Sequence, residues 1–135
     1  MSQAYFVDAW YFIALLDPRD TYHRHAKRIE QRVKADSLVT HEAVLSEVLN
    51  YFSTEGAHPR ALAASLVRRA LGALIVIEVD HTLFLAGLER YESRPDKEFS
   101  HVDCVSMVLM ERLGIRHVLT NDHHFSQAGF VVVNQ

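Results

Sequence analysis

The chain has little of several features that mark particular classes of protein. It has one cysteine in 135 residues, so no disulfide can form within the chain, and its three prolines and five glycines are not concentrated in any linker. No apolar run approaches the roughly 20 residues that a membrane helix needs. The first residues lack the basic start of a secretory signal. We therefore expect a soluble, cytoplasmic protein with no membrane segment.

An excess of positive charge is also absent. The formal net charge is -3 at pH 7, which argues against a surface covered with cations for nucleic acid. The segment from Arg24 to Lys34 is a local exception, because its apolar residues recur at helical spacing and cations fill most other positions. This basic helix is either an ordinary solvated surface or a path for an RNA backbone, and the first interpretation is the simpler one.

Apolar residues are plentiful and follow a clear order. They make up 49% of a chain that has the length of one ordinary domain, so we expect a single domain over residues 1–135. The predicted order is strand, helices, strand, helices, strand, helix, helix, strand, short turn and strand. This alternation indicates an α/β domain with a mostly parallel sheet of about five strands. We expect the β-branched strand in residues 73–79 to be buried on both faces, and Thr40 to cap the helix after the second strand.

Four acidic residues stand at positions that distinguish them from the others. Asp8 directly follows the first strand, and Asp122 follows the strand "HVLT" with one residue between them. Both should reach the carboxyl edge of the sheet, where parallel sheets bind their ligands. Asp103 lies in the first turn of a helix that is apolar nearly all round, and Glu47 borders the apolar stripe of another helix. We expect these four carboxylates to converge.

Each of the four acids also has an ordinary structural explanation. Asp8 and Asp122 could cap the helices that follow them, Asp103 could interact with a helix dipole, and Glu47 could be a rim residue. If the four do converge, they raise one another's pKa, and a divalent cation is the natural compensation. Oxygen ligands without cysteine favour Mg²⁺ or Mn²⁺ over zinc. One or two such ions would support the hydrolysis of a phosphodiester bond.

The segments that carry these acids resemble the PIN-domain ribonucleases, in particular the VapC-type toxins of toxin–antitoxin pairs. The resemblance covers essentially the whole chain and depends on three segments in order: "FVDAWYFIALLDPRDTYHRHA", "VTHEAVLSEVLNYF" and "FSHVDCVSMVLMERLGIRHVLTNDHHFSQAGF". It implies a three-layer α/β/α sandwich, an endoribonuclease that acts on structured RNA, and a homodimer. It also implies a small antitoxin protein whose tail blocks the acidic cleft.

The resemblance assigns roles to particular residues. The family's acidic quartet falls on Asp8, Glu47, Asp103 and Asp122. The resemblance implies that Asp8, Asp103 and Asp122 hold Mg²⁺ or Mn²⁺, and that Glu47 completes the site or orients water. Thr120 and Ser106 match positions that support the site in the family.

Several other functions share parts of this pattern. A PIN-fold RNA-processing nuclease outside any toxin pair, or a non-catalytic module that binds RNA or a partner, would have the same fold. A haloacid-dehalogenase-type phosphatase needs a second aspartate two residues after the first, where this chain has Trp10. A response-regulator receiver needs adjacent acids and a lysine at the end of its last strand, and neither is visible.

The nine histidines raise the possibility of a zinc or nickel site, but no HExxH or similar helical spacing is present. His123 and His124 directly follow Asp122. We expect these two to lie close enough to contact substrate, and we do not predict them as metal ligands.

Overall fold

The structure, a computed structural model, describes residues 3–135 and has the predicted order of elements. The strands are β1 (Tyr5–Val7), β2 (Leu38–His41), β3 (Ile75–Ile77), β4 (His117–Leu119) and β5 (Val131–Val133). The helices are α1 (Ala9–Leu16), α2 (His23–Arg32), α3 (Glu42–Phe52), α4 (Ala57–Ala73), α5 (His81–Ser93), α6 (His101–Leu113) and α7 (His123–Gln127). None of the helices in residues 3–135 has both the length and the apolarity that crossing a bilayer requires.

The five strands form one parallel sheet in the order β3-β2-β1-β4-β5. From β1 the chain steps outward through β2 to β3, then crosses back to β4 and steps outward again to β5. Right-handed crossovers in opposite directions place their helices on opposite faces of the sheet. Helices α1 to α4 therefore cover one face and α5 to α7 the other, in agreement with the helix contacts. This arrangement confirms the predicted α/β/α sandwich.

The core lies around the two central strands. Phe6 and Val7 of β1 and Val118 and Leu119 of β4 are fully buried, because helices cover both faces of these strands. Cys104 is buried in α6, as its apolar neighbours indicate. All five strands share this sheet, although the extent of the domain, residues 1–135, stays a prediction.

The third strand departs from the sequence prediction. Residues 73–79 predict a strand buried on both faces, but β3 is an edge strand that pairs with β2, and Ile75 is 49% exposed. The prediction is wrong because β-branched apolar residues indicate a strand without indicating its place in the sheet. That place is set by the direction of the crossovers.

The cap of α3 is also displaced from the predicted residue. β2 extends one residue further than expected, so His41 rather than Thr40 is the N-cap, and His41 Nδ1 accepts the backbone N–H of Val44 at 3.4 Å. The Thr40 hydroxyl instead donates to the carbonyl oxygen of Val7 at 2.8 Å. Thr40 therefore joins the ends of two neighbouring strands.

Candidate active site

A cleft of about 670 Å³ lies at the carboxyl edge of the sheet. It adjoins the ends of β1 and β4, between which the strand order reverses and where parallel sheets bind ligands. The acids predicted from the sequence all line this cleft: Asp8 after β1, Glu47 in α3, Asp103 in α6 and Asp122 after β4. The structure therefore brings the four together. Their roles as catalytic residues and metal ligands stay predictions.

Asp8 is oriented by Thr120, the residue that directly follows the neighbouring strand β4. It occupies the N-cap position of α1, but its side chain makes no capping hydrogen bond. Instead, the Thr120 hydroxyl donates to Asp8 Oδ2 at 2.7 Å, and Thr120 Oγ1 accepts the backbone N–H of Asp122 at 3.1 Å. Thr120 is fully buried. Capping therefore does not explain the Asp8 side chain, which Thr120 holds beside the cleft.

Asp103 combines a helix-terminal role with a position in the cleft. Its Oδ2 accepts the backbone N–H of Ser100 at 3.1 Å, and its own N–H donates to Ser100 Oγ at 3.0 Å, which together form a capping box at the start of α6. Asp103 is only 9% exposed. Asp103 can therefore stabilise the start of α6 and still present its carboxylate to the cleft.

The carboxylates of the cleft have perturbed pKa values. Burial raises the pKa of Asp8 from 3.8 to about 6, although the bond from Thr120 opposes the change, and the nearby charges of Asp103 and Asp122 raise it further. Burial, followed by the charges of Asp8 and Asp103, raises the pKa of Glu47 from 4.5 to about 7. Burial is also the main cause of a raised pKa at Asp103. Among the described residues that line the cleft, none is a lysine or an arginine.

His124 lies between two of the acids. Its Nδ1 is 3.1 Å from Asp122 Oδ1 and 3.4 Å from Asp103 Oδ2, and its ring makes a T-shaped contact with Phe99, with 5.7 Å between ring centroids. The sequence predicts only substrate contact for this residue. The sequence signal for direct contact with the carboxylates is the position of His124 two residues after Asp122, in the first turn of α7. There its backbone N–H also donates to Asp122 Oδ1 at 2.9 Å.

The closest group of potential metal-ligand atoms differs from the predicted set of Asp8, Asp103 and Asp122. One carboxylate oxygen of Asp122 and one ring nitrogen each of His123 and His124 lie within 4.8 Å of one another. His123 is more peripheral, with 74% of its side chain exposed and Nδ1 3.9 Å from Asp122 Oδ1. His124, which lines the cleft, thus offers a nitrogen donor beside the carboxylates, although the sequence does not predict it as a metal ligand.

Ser106, predicted to support the site, is not among the residues that line the cleft. Its hydroxyl donates to the carbonyl oxygen of Val102 at 2.9 Å and lies 2.8 Å from His41 Nε2. Both Ser106 and His41 are fully buried. The sequence does not single out His41, whose one signal is its position at the end of an apolar strand.

The basic segment of the sequence corresponds to α2 and the residues just after it. Arg24, Lys27 and Arg28 are exposed, and none of them lines the acidic cleft. This position is compatible with the ordinary solvated surface that is the simpler of the two interpretations of the basic helix.

The fold and the acidic cleft are those of a PIN domain. The model of the PIN domain family matches residues 5–131, so the chain belongs to this family. A relative in sequence is the 23S rRNA-specific endonuclease VapC20 of Mycobacterium tuberculosis, which is 30% identical over 131 residues. That match covers 95% of this chain and 96% of the relative.

Solved structures agree with this assignment. The crystal structure of Mycobacterium tuberculosis VapC20, described as a sarcin-ricin loop cleaving toxin, superimposes with a TM-score of 0.86 at 30% identity and covers 98% of this chain and 100% of that chain. FitAcB from Neisseria gonorrhoeae superimposes with a TM-score of 0.69 at 12% identity, covering 96% of each chain. The second likeness shows the fold alone. The family and the fold predicted from the sequence are confirmed.

Proposed function

We propose that this protein is a metal-dependent endoribonuclease that hydrolyses phosphodiester bonds in structured RNA. The observation that carries the proposal is the convergence of the four predicted acids, Asp8, Glu47, Asp103 and Asp122, in a cleft whose described lining contains no lysine or arginine. Membership of the PIN domain family supports the class of reaction. The name of VapC20, a 23S rRNA-specific endonuclease, supports RNA as the substrate and makes 23S rRNA the first candidate.

The chemistry of the donors fits a divalent cation. Several buried carboxylates raise one another's pKa, and a cation would relieve this repulsion. Asp8, Asp103 and Asp122 would hold it, and these oxygen donors favour Mg²⁺ or Mn²⁺. When bound, such an ion lowers the pKa of a water molecule and stabilises negative charge on the leaving oxygen.

The protein's own residues orient the site. Thr120 holds Asp8 through the 2.7 Å hydrogen bond, and Ser100 holds Asp103 through the capping box. Glu47 is half-buried on the α3 side of the cleft, and its carboxylate would accept a hydrogen bond from the attacking water and so orient it. Positioning of this kind lowers the activation barrier because the reacting groups are already aligned.

The proposal is tested with 23S rRNA and an unstructured RNA as substrates. Purified protein is incubated with Mn²⁺ or with EDTA, beside Asp8→Asn and the control Asp36→Asn, which changes an exposed acid in the short turn before β2. We expect EDTA and Asp8→Asn each to reduce cleavage more than about 100-fold, because several kcal/mol of transition-state stabilisation are lost. Asp36→Asn should cleave like the wild type. Equal cleavage by Asp8→Asn and the wild type would contradict the mechanism.

We also propose that the protein is the toxin of a toxin–antitoxin pair, with a small antitoxin whose tail enters the acidic cleft. The description of VapC20 as a toxin supports this role. Expression of the protein alone should arrest growth, and co-expression of the neighbouring gene should restore it. Unchanged growth would contradict the toxin role and leave an RNA-processing nuclease as the alternative. A non-catalytic module is disfavoured, because all four acids are retained.

A homodimer is part of the same proposal. It is supported by an exposed apolar stripe on α5, formed by Phe84, Leu88 and Tyr91 at helical spacing. Light scattering on the wild type and on Leu88→Glu checks it, since a dimer that uses this stripe should dissociate in the variant. The cytoplasmic location expected from the sequence stays a prediction.

A further inference from the structure

The imidazole of His41 is held by hydrogen bonds at both nitrogens although it is fully buried. Nδ1 accepts the backbone N–H of Val44, so this nitrogen carries no proton. The Ser106 hydroxyl donates its proton to the Val102 carbonyl and therefore acts as an acceptor toward Nε2, 2.8 Å away. The two observations independently require the same tautomer, in which Nε2–H donates to Ser106 Oγ.

This hydrogen bond joins two elements that carry acids of the cleft. His41 immediately precedes α3, which contains Glu47, and Ser106 lies one turn after Asp103 in α6. α3 packs mainly against α4 and α1, whereas α6 packs mainly against α5. The bond from His41 to Ser106 is therefore a direct polar link between helices whose main packing partners differ.

Burial preserves this link near pH 7. It lowers the pKa of His41 to about 4, so the ring is neutral near pH 7 and keeps its donor and its acceptor in place.

We infer that His41 is a positioning residue, whose Nε2–H···Oγ bond to Ser106 fixes α3 relative to α6 and thereby sets the separation of Glu47 from Asp103. The inference rests on the proposed function for its effect on RNA cleavage. It assigns Ser106 a defined task, as the acceptor through which α6 is held.

Three substitutions separate the two bonds of His41. His41→Asn places a side-chain oxygen near the former Nδ1 position, so it keeps the cap on Val44 but is too short to reach Ser106. His41→Gln places an amide nitrogen near the former Nε2 position and keeps the donor to Ser106. Ser106→Ala removes the acceptor. The matched control is Cys104→Ala, which truncates another fully buried side chain of α6 without removing this bond.

The experiment measures kcat and KM for RNA cleavage at saturating Mn²⁺, corrected for the folded fraction, and the affinity of each full-length protein for Mn²⁺ alone. We expect His41→Asn and Ser106→Ala each to lower kcat about tenfold with KM little changed, and to weaken Mn²⁺ binding severalfold. The double variant should be no worse than either single variant, because both changes break one bond. His41→Gln should recover most of kcat, and Cys104→Ala should retain it.

Two results would overturn the inference. Either the losses in kcat multiply in the double variant, or Cys104→Ala lowers kcat as much as Ser106→Ala at equal thermal stability. An inactive wild-type protein would instead contradict the proposed function. In that case the Mn²⁺ affinities decide, since equal affinities of the wild type, His41→Asn and Ser106→Ala would remove the positioning role.

Discussion

Thr120 Oγ1 lies 2.7 Å from Asp8 Oδ2 and at the same time accepts the backbone N–H of Asp122. One buried hydroxyl thus joins the residues that follow the two central strands. β1 and β4 pair in register up to Val7 and Leu119, so the hydroxyl one residue further along lies at a fixed position relative to Asp8. This part of the cleft is therefore positioned by the sheet rather than by a flexible loop.

Removal of this hydroxyl should impair cleavage. Thr120→Val keeps the shape of the side chain but leaves Asp8 Oδ2 without its donor, so we expect kcat to fall about tenfold. The pKa of Asp8 should rise further, because the hydrogen bond favours the ionised form. Thr120→Ser should retain activity. The matched control is Thr40→Val, which removes an equally buried hydroxyl that bonds the Val7 carbonyl. Equal losses of kcat in the two valine variants would contradict this role.

Replacement of Gly87 should destabilise the packing of α5 on α6. A Cβ at this position would lie 2.5 Å from Val105 Cγ2 and 3.2 Å from the Val105 backbone nitrogen. We expect Gly87→Ala to lower the free energy of unfolding by about 1–3 kcal/mol, because the helices must separate. Gly72→Ala is the control, since its Cβ meets no atom within 4 Å inside α4. It should stabilise the protein by about 0.5–1 kcal/mol. Urea denaturation measures both, and equal effects would contradict the close approach.

Stabilisation by metal should depend on pH. The raised pKa values of Asp8 and Glu47 mean that the metal-free folded state is favoured when these acids are protonated. That contribution is complete below their ordinary pKa values near 4 and is lost as the pH rises through about 6 and 7. On the proposed function, Mn²⁺ binds the ionised form of Asp8, so we expect it to raise the melting temperature more at pH 8 than at pH 5.

The measured quantity is the difference in melting temperature between the protein with Mn²⁺ and the protein with EDTA, at each pH. The lowered pKa of His41 has the opposite effect, because its contribution to the stability of the folded state is lost as the pH falls from 6.5 toward 4. That contribution is the same with Mn²⁺ and with EDTA, so it cancels when the two are compared at one pH. Asp8→Asn should reduce the increment at pH 8. Increments of equal size at pH 5 and pH 8 would show that Asp8 does not bind the ion.

The two neighbouring histidines should differ in importance. His124 lies between Asp122 and Asp103, so we expect His124→Leu to weaken Mn²⁺ binding about tenfold, as loss of a group that orients carboxylates typically does. His123→Leu should change it less than about twofold, because that side chain is mostly exposed and further from the acids. Calorimetric titration with Mn²⁺ measures both. A larger effect at His123 would instead favour that residue as a ligand.

The position of the acids could be predicted because it depends on local pattern. A short apolar strand that ends in Asp8, and another that ends shortly before Asp122, place both carboxylates at one edge of any parallel sheet. The first turn of α6 similarly fixes Asp103 relative to its helix. The contact of His124 with Asp103 could not be predicted, because it depends on how closely α6 and α7 approach.

The sequence by itself determined the order of strands and helices, the parallel sheet and the edge at which the acids lie, since each follows from the spacing of apolar residues along a few turns or strands. Only the tertiary structure decided that β3 is an edge strand, that His41 rather than Thr40 caps α3, and that His41 bonds Ser106. These features depend on distances between segments far apart in the chain, which the crossovers set and local periodicity does not record.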